Sequence, residues 1–173
     1  MLRLIRLTEE YAHVLTDMLA EWRADLAKSG AKPIPGPIFR EYHDIGDYIA
    51  HLEHKTASEG IVPDSVLFLL DDDRDILLGA VHIRHYLNDA LAEWSGHIGM
   101  GIRPSERRKG YASEMLRLAL DECRRLGITT VQITCNKENT GSARAIIKNG
   151  GILAREFPAP DGTERQRYLI NIF

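Results

Sequence analysis

Ile102-Arg103-Pro104-Ser105-Glu106-Arg107-Arg108-Lys109-Gly110-Tyr111-Ala112 joins the end of a strand pattern to the start of an amphipathic helix, and its reading decides the fold. Pro104 stops the strand, because it has no N–H to give a ladder. Gly110 lets the backbone approach a ligand where a Cβ would intrude. The helix that follows starts with amides that lack intrahelical partners, so N–H groups and the positive end of the dipole converge on whatever precedes it. Arg107, Arg108 and Lys109 add positive charge at that same end, against the dipole preference, and a bound polyanion would resolve the conflict. The turn reads as a phosphate site.

Two better-known phosphate loops fail on these residues. A Walker A loop needs G-x-x-x-x-G-K-[ST], which no segment supplies. A dinucleotide fingerprint needs G-x-G-x-x-G; Gly99 and Gly101 give its first half, but Pro104 holds the place of the third glycine. What remains is R-x-x-G-x-A, carried by Arg107, Gly110 and Ala112.

Composition narrows the classes further. At 173 residues the chain is long enough for one domain with a full core and too short for two comfortable ones, so 1–173 is expected to be a single domain. Charged residues make up 27% and the formal net charge is −3, which leaves no global field to attract nucleic acid or an anionic membrane. No apolar run reaches membrane-spanning length, and Met1-Leu2-Arg3-Leu4-Ile5-Arg6 lacks the apolar core and cleavage site of a secretion signal, so a cytoplasmic location is expected. Cys123 and Cys135 are too few for a disulfide framework and match no zinc spacing.

Hydrophobic periodicity gives an α/β order. Leu2 to Leu7 alternates as a strand, and Tyr11, Leu15, Met18, Leu19, Trp22 and Leu26 recur at helical spacing after Thr8, a candidate N-cap, until Gly30. The proline-rich segment Ala31 to Phe39 is a loop. A second helix is expected from Asp44 to Ser58, then strands from Ser65 to Leu70 and Ile76 to Leu87 across the acidic turn Asp71 to Asp75. Trp94 to Arg103 forms the strand feeding the phosphate turn, and Lys109 to Leu126 the long helix after it. Ile128 to Cys135, rich in β-branched residues, is a buried strand. A short helix from Asn139 to Asn149 and a hairpin of Ile152 to Phe157 with Arg165 to Ile172 complete the chain.

That order, together with R-x-x-G-x-A after a strand, resembles the GCN5-related N-acetyltransferase (GNAT) family from end to end. Asn139-Thr140-Gly141-Ser142 followed by Lys148-Asn149-Gly150-Gly151 is similar to the N-x-x-S and K-x-G-F marks that the family carries after its fifth strand. Within it, Arg84-His85-Tyr86-Leu87-Asn88, Gly96-His97-Ile98-Gly99 and Thr134-Cys135-Asn136 resemble a group of bacterial acetyltransferases of unassigned substrate. The resemblance implies an acyl-CoA N-acyltransferase fold: a mixed, mostly antiparallel sheet with splayed central strands, flanked by helices. It implies acetyl-CoA as cosubstrate and no metal. The pyrophosphate would lie on the amides of Arg108, Lys109, Gly110, Tyr111 and Ala112, with Arg107 beside them. The pantetheine arm would pair with strand backbone at Met100, Gly101 and Ile102. Asn139 and Ser142 would form the other wall, although both residue types also serve as plain helix caps.

Acetyl transfer to an amine calls for a base, a donor for the thioester oxygen and an exit for the thiolate. Family members often carry a glutamate five residues ahead of the place held by Ile102; here that place is His97. Its imidazole can accept the amine's proton directly or through water, or it is a half-buried strand histidine satisfied by main chain. Glu93 is the second candidate: it could orient His97, act through water, or face solvent. An N–H freed by a bulge near Met100 could serve the thioester oxygen. The family's leaving-group tyrosine, four residues after the serine of N-x-x-S, is replaced by Ile146, which cannot donate a proton.

Other features dissolve. Asp71, Asp73 and Asp75 begin like a calcium loop, but Ile76 and His82 hold its sixth and twelfth places. His51 and His54 are three apart and do not form H-E-x-x-H. Two classes stay open: an N-acetyltransferase acting on a small-molecule or peptide amine, with a homodimer as a possible assembly, and a catalytically degenerate CoA-binding module. The acceptor pocket is expected among the proline-rich loop, the segment from Leu87 to Glu93 and the Pro158 to Gly162 turn.

Overall fold

The computed structural model describes residues 1–173. The chain runs β1 (Leu2–Ile5), α1 (Ala12–Ser29), α2 (Ile45–Ala50), β2 (Asp64–Asp71), β3 (Ile76–Arg84), α3 (Asp89–Trp94), β4 (Ile98–Ile102), α4 (Tyr111–Arg125), β5 (Thr130–Asn136), α5 (Thr140–Lys148), β6 (Ile152–Pro158) and β7 (Glu164–Asn171). Single 3₁₀ turns sit at Glu9–Tyr11, Gly36–Phe39 and Pro104–Glu106. All ladders are antiparallel, and they make two sheets, β1-β2-β3-β4 and β5-β7-β6. The sheet is therefore broken between β4 and β5, the two strands joined by the α4 crossover. This is the mixed α/β architecture with splayed central strands.

Two apolar clusters cover the opposite faces. α4 presents Met115, Leu116, Ala119, Leu120 and Cys123 to one face, where Ile98 and Ile102 of β4 meet Val131 and Ile133 of β5. Because that cluster takes in both half-sheets, α4 fixes how far β4 and β5 stand apart. On the other face Leu15, Met18, Leu19 and Trp22 of α1 pack on Val66, Phe68 and Ala80. Each fully buried side chain of this kind contributes about 1.5–3 kcal/mol, so both faces, and not helix propensity alone, hold the helices in place. Gly30, left-handed at φ 65°, ends α1 where the sequence placed its stop.

Three elements depart most from the sequence expectation. The second helix covers only Ile45–Ala50 rather than Asp44 to Ser58, because Glu53 and His54 leave it to serve β2. The Glu53 carboxylate accepts the Val66 N–H, and Asp64 takes both the His54 amide and its ring. The strand expected from Ile76 to Leu87 ends at Arg84. Of the strand expected from Trp94 to Arg103, Trp94 is the last residue of a helix, α3, Gly96 makes a turn (φ 126°), and only Ile98–Ile102 is strand, β4. Asn88 caps α3, its side-chain oxygen accepting the Leu91 N–H at 2.9 Å. No helix is long and apolar enough to cross a membrane.

Candidate active site

The break between β4 and β5 leaves main-chain groups without strand partners. Arg84 N–H donates to the His97 carbonyl and Arg103 N–H to the Leu78 carbonyl, both at 2.8 Å. With the β3–β4 register, that alternation turns Gly99 and Gly101 toward β3 and turns the N–H and C=O of Ile98, Met100 and Ile102 toward β5. On the facing strand, Ile172 N–H bonds to Thr129 O and Lys137 N–H to Glu164 O, so Thr134 and Asn136 turn their main chain toward β4. The free Met100 N–H needs no bulge, contrary to the sequence expectation: the β3–β4 register is regular through Met100, and the group is free because its neighbour strand is missing. Of the cleft-facing groups, the Ile102 carbonyl is taken by Arg107 Nε at 3.2 Å.

The cleft opens on the start of α4. The amides of Arg108, Lys109, Gly110, Tyr111 and Ala112 have no hydrogen-bond partner in the protein; the first bonded ones are Ser113 and Glu114, both on the Gly110 carbonyl. Five consecutive free amides at the positive end of a 15-residue helix form a ready anion cradle. Gly110 is left-handed at φ 88° with open space where a Cβ would stand, and Arg108 is left-handed at φ 64°. The cations beside the cradle are less free than the sequence suggested. Arg107 pairs with Asp25 at 3.0 Å and Lys109 with Glu106 at 3.1 Å. Glu106, buried, also takes two Arg74 N–H groups, which hold its carboxyl below the usual range. Arg108 alone of the three has no carboxylate partner.

His97 lies at the opposite, closed end of the cleft. Its amide donates to the Gln132 carbonyl at 2.8 Å, and its Nδ1 accepts the Gln132 N–H at 3.0 Å. These two bonds are the link between β4 and β5. An Nδ1 that accepts leaves the proton of the neutral ring on Nε2. Burial, then the Arg84 charge, hold the ring's pKa below its ordinary value. His97 also lines a shallow hollow of about 340 Å³ with His85, Tyr86 and the Leu126 to Thr130 turn. That hollow is at the C-terminal end of α4, roughly 22 Å of helix from the cradle.

Glu93 and His97 are not brought together. Glu93 lies in the last turn of α3, its carboxylate 3.7 Å from Arg155 and its carbonyl accepting from Arg167. Asn139 caps α5, accepting the Ser142 N–H at 3.1 Å. The Ser142 hydroxyl lies against Cys135, whose thiol burial pushes up in pKa. Ile146 is fully buried in the core under α4. Gln132 escaped the sequence reading although it closes the cleft; a polar residue at the centre of an apolar strand was its one signal.

On the face opposite α4, the floor of the cleft is glycine backbone at Gly99 and Gly101. A Cβ at Gly101 would collide with the Ile34 carbonyl and the Trp22 ring, so the proline-rich loop rests directly on β4. Lys32 of that loop pairs with Asp161 of the β6–β7 turn at 2.7 Å. The Ala92, Glu93 and Trp94 carbonyls at the end of α3 accept from Gln132, Arg167 and Arg165, which pins α3 over β5 and β7. Loop, turn and α3 thus border one face of the cleft.

A crossover whose strands part, with free amides where its helix begins, defines the acetyltransferase fold. The sequence profile of the acetyltransferase (GNAT) domain matches residues 2–152, and the chain belongs to that family. A GNAT-family acetyltransferase from Bacillus anthracis superposes with a TM-score of 0.63 at 19% identity, over 98% of this chain and 94% of that one. YncA of Salmonella typhimurium, solved with its cofactor acetyl-CoA, gives 0.67 at 13% identity over 100% and 95%. The ribosomal-protein-S5-alanine acetyltransferase of Vibrio fischeri gives 0.69 at 13% identity over 98% and 92%. At these identities the likeness is one of fold. No curated protein matches the chain in sequence.

Proposed function

We propose that the protein transfers an acetyl group from acetyl-CoA to a primary amine of a small molecule or peptide. The observation that carries this is the row of five free amides at Arg108 to Ala112, opening onto strand edges with unpaired main chain. The residues fit the cosubstrate: the amides and Arg108 suit a pyrophosphate, and the edges of Met100 and Thr134 suit an amide-bearing arm. When bound, acetyl-CoA supplies the acyl group as a thioester. Met100 N–H, aimed into the cleft, is placed to donate to the thioester oxygen.

An amine of pKa about 10 is roughly one part in a thousand neutral at pH 7, a cost on the order of 4 kcal/mol. His97 donates at Nε2 and cannot take that proton while its Nδ1 holds Gln132. We therefore assign His97 to closing the cleft and the amine's proton to solvent. The rate should then climb with pH along the acceptor's own ionisation, and H97Q should leave the shape of that profile unchanged. Loss of an acid limb in H97Q would restore His97 as the base.

Ile146, buried where the family's acid stands, favours a second reading, a CoA-binding module without turnover. Free thiol is followed with acetyl-CoA and a wide amine panel, alongside melting with CoA and with ATP. Thiol release with some acceptor supports the enzyme. Stabilisation by CoA without release supports the module, and equal stabilisation by ATP defeats both.

A further inference from the structure

Four arginines are partly withdrawn from solvent: Arg84, Arg103, Arg165 and Arg167. Arg103 pairs with Glu21 and Arg165 with Asp161. Arg84 and Arg167 have no carboxylate in ion-pair reach. Arg167 gives one N–H to the Glu93 carbonyl and lies over the Phe157 ring, 5.0 Å from its centroid, while its Nε–H is buried with no partner. Thr134, its cross-strand neighbour on β5, likewise has a buried hydroxyl with no partner. These are the two buried side-chain polar atoms of the protein that lack a hydrogen bond. Such atoms are rare in native proteins, and each calls for a partner outside the protein or a functional reason.

Both sit on the face away from α4. Val131, Ile133 and Cys135 of β5 belong to the α4 cluster, so Thr134 and its partner Arg167 point the other way. Across the break, Arg84 shares that face with His82 and Val66, and its Nη1 holds the Gly96 carbonyl just ahead of β4 at 2.9 Å. Burial lowers the pKa of Arg84, with Asp64 opposing at longer range. Gly99 and Gly101 put no side chain between the two sides, and Ile34 stands 3.9 Å from where a Gly99 Cβ would be. The result is a glycine floor under Ile34 and Trp22, flanked by two cations without counter-ions.

We propose that this face takes the acceptor and that the acceptor is an amine bearing a carboxylate, held by Arg167 and Thr134 with Arg84 opposite. This rests on the acetyltransferase reading. A planar guanidinium edge with a hydroxyl beside it matches a carboxylate's two oxygens, and an aromatic ring behind it keeps the fork in place. In the reaction the amine nitrogen bonds to the acetyl carbon as the carbon–sulfur bond breaks; the amine's proton goes to solvent and the departing thiolate takes one up.

The test uses matched sets on the full chain: amino acids, their amides, and the amines that lack the carboxyl group. With acetyl-CoA, kcat/KM should be at least tenfold higher for the carboxylates, and R167Q should erase the difference mainly through KM. T134V should weaken it by a smaller factor. Calorimetry with CoA present, titrating N-acetyl amino acids against their amides, reads the same site without turnover and should show the same tenfold preference. Amides or simple amines performing as well as the carboxylates, with thiol released, would overturn the carboxylate site and leave the acetyltransferase standing. Thiol release from nothing, with the N-acetyl amino acids still preferred over their amides, would overturn the enzyme and keep the anion site. No preference in either measurement sinks the inference.

Discussion

His97 and Gln132 exchange two hydrogen bonds where no other main-chain bond joins β4 to β5, so one imidazole decides where the split stops. A leucine in its place leaves the Gln132 N–H buried and unpaired, which costs about 1–3 kcal/mol. H97L should lose that much in urea unfolding at pH 7, whereas H97N, whose side-chain oxygen can replace Nδ1, should lose less than about 1 kcal/mol. The depressed pKa of His97 adds a pH signature. The unfolded chain takes up the proton first, so stability falls as pH drops below about 6.5 and is unaffected above it. Both variants should lose that slope; a wild-type slope in H97N would mean that another group titrates there.

At the level of elements, α4 does two tasks, spacing the half-sheets and starting at the anion cradle. Gly110 turns the chain into it at φ 88° with nothing near its missing Cβ, so a side chain there meets backbone strain and not a clash within the protein. G110V should therefore cost only about 1–2 kcal/mol of stability. Its CoA dissociation constant, by contrast, should rise more than tenfold by calorimetry, because the side chain stands where the phosphates approach; unchanged affinity would place them elsewhere. The same residues show what was legible beforehand. α4 spans four turns with its apolar face in period, and Gly110 and Gly127 bracket it, so local sequence sufficed. α2 and α3 have six residues each, too short for a period to register. α2 stops early because Glu53 and His54 serve β2, partners ten and more residues away. The cap of α3 is readable at Asn88, but by sequence alone Trp94 to Arg103 reads as one long strand. Arg167 and Thr134 carried no signal, since being unpaired is a property of the packed molecule.

Over the whole molecule, Asp64 ties the loop after α2 to the first half-sheet. It stands at the start of β2, 5% exposed, and one of its oxygens accepts both His54 Nδ1 and His82 Nε2 at 2.9 Å. The link runs from the loop after α2 to the strand that carries β4. Burial alone would raise the carboxyl's pKa, but the bonds from His82 and His54 outweigh it and bring the value from 3.8 to about 2. The unfolded chain therefore binds a proton that the native state refuses between those two values. Stability from this group is fully present above about pH 4, is lost as pH falls toward 2, and is on the order of 2 kcal/mol. D64N should be less stable than wild type by a similar amount at pH 7, and the two proteins should converge as the pH of a urea series is lowered through that window. If the gap stays constant down to pH 2, the two histidines do not hold Asp64 ionised, and the loop after α2 is kept against β3 by its apolar contacts at Leu52 alone.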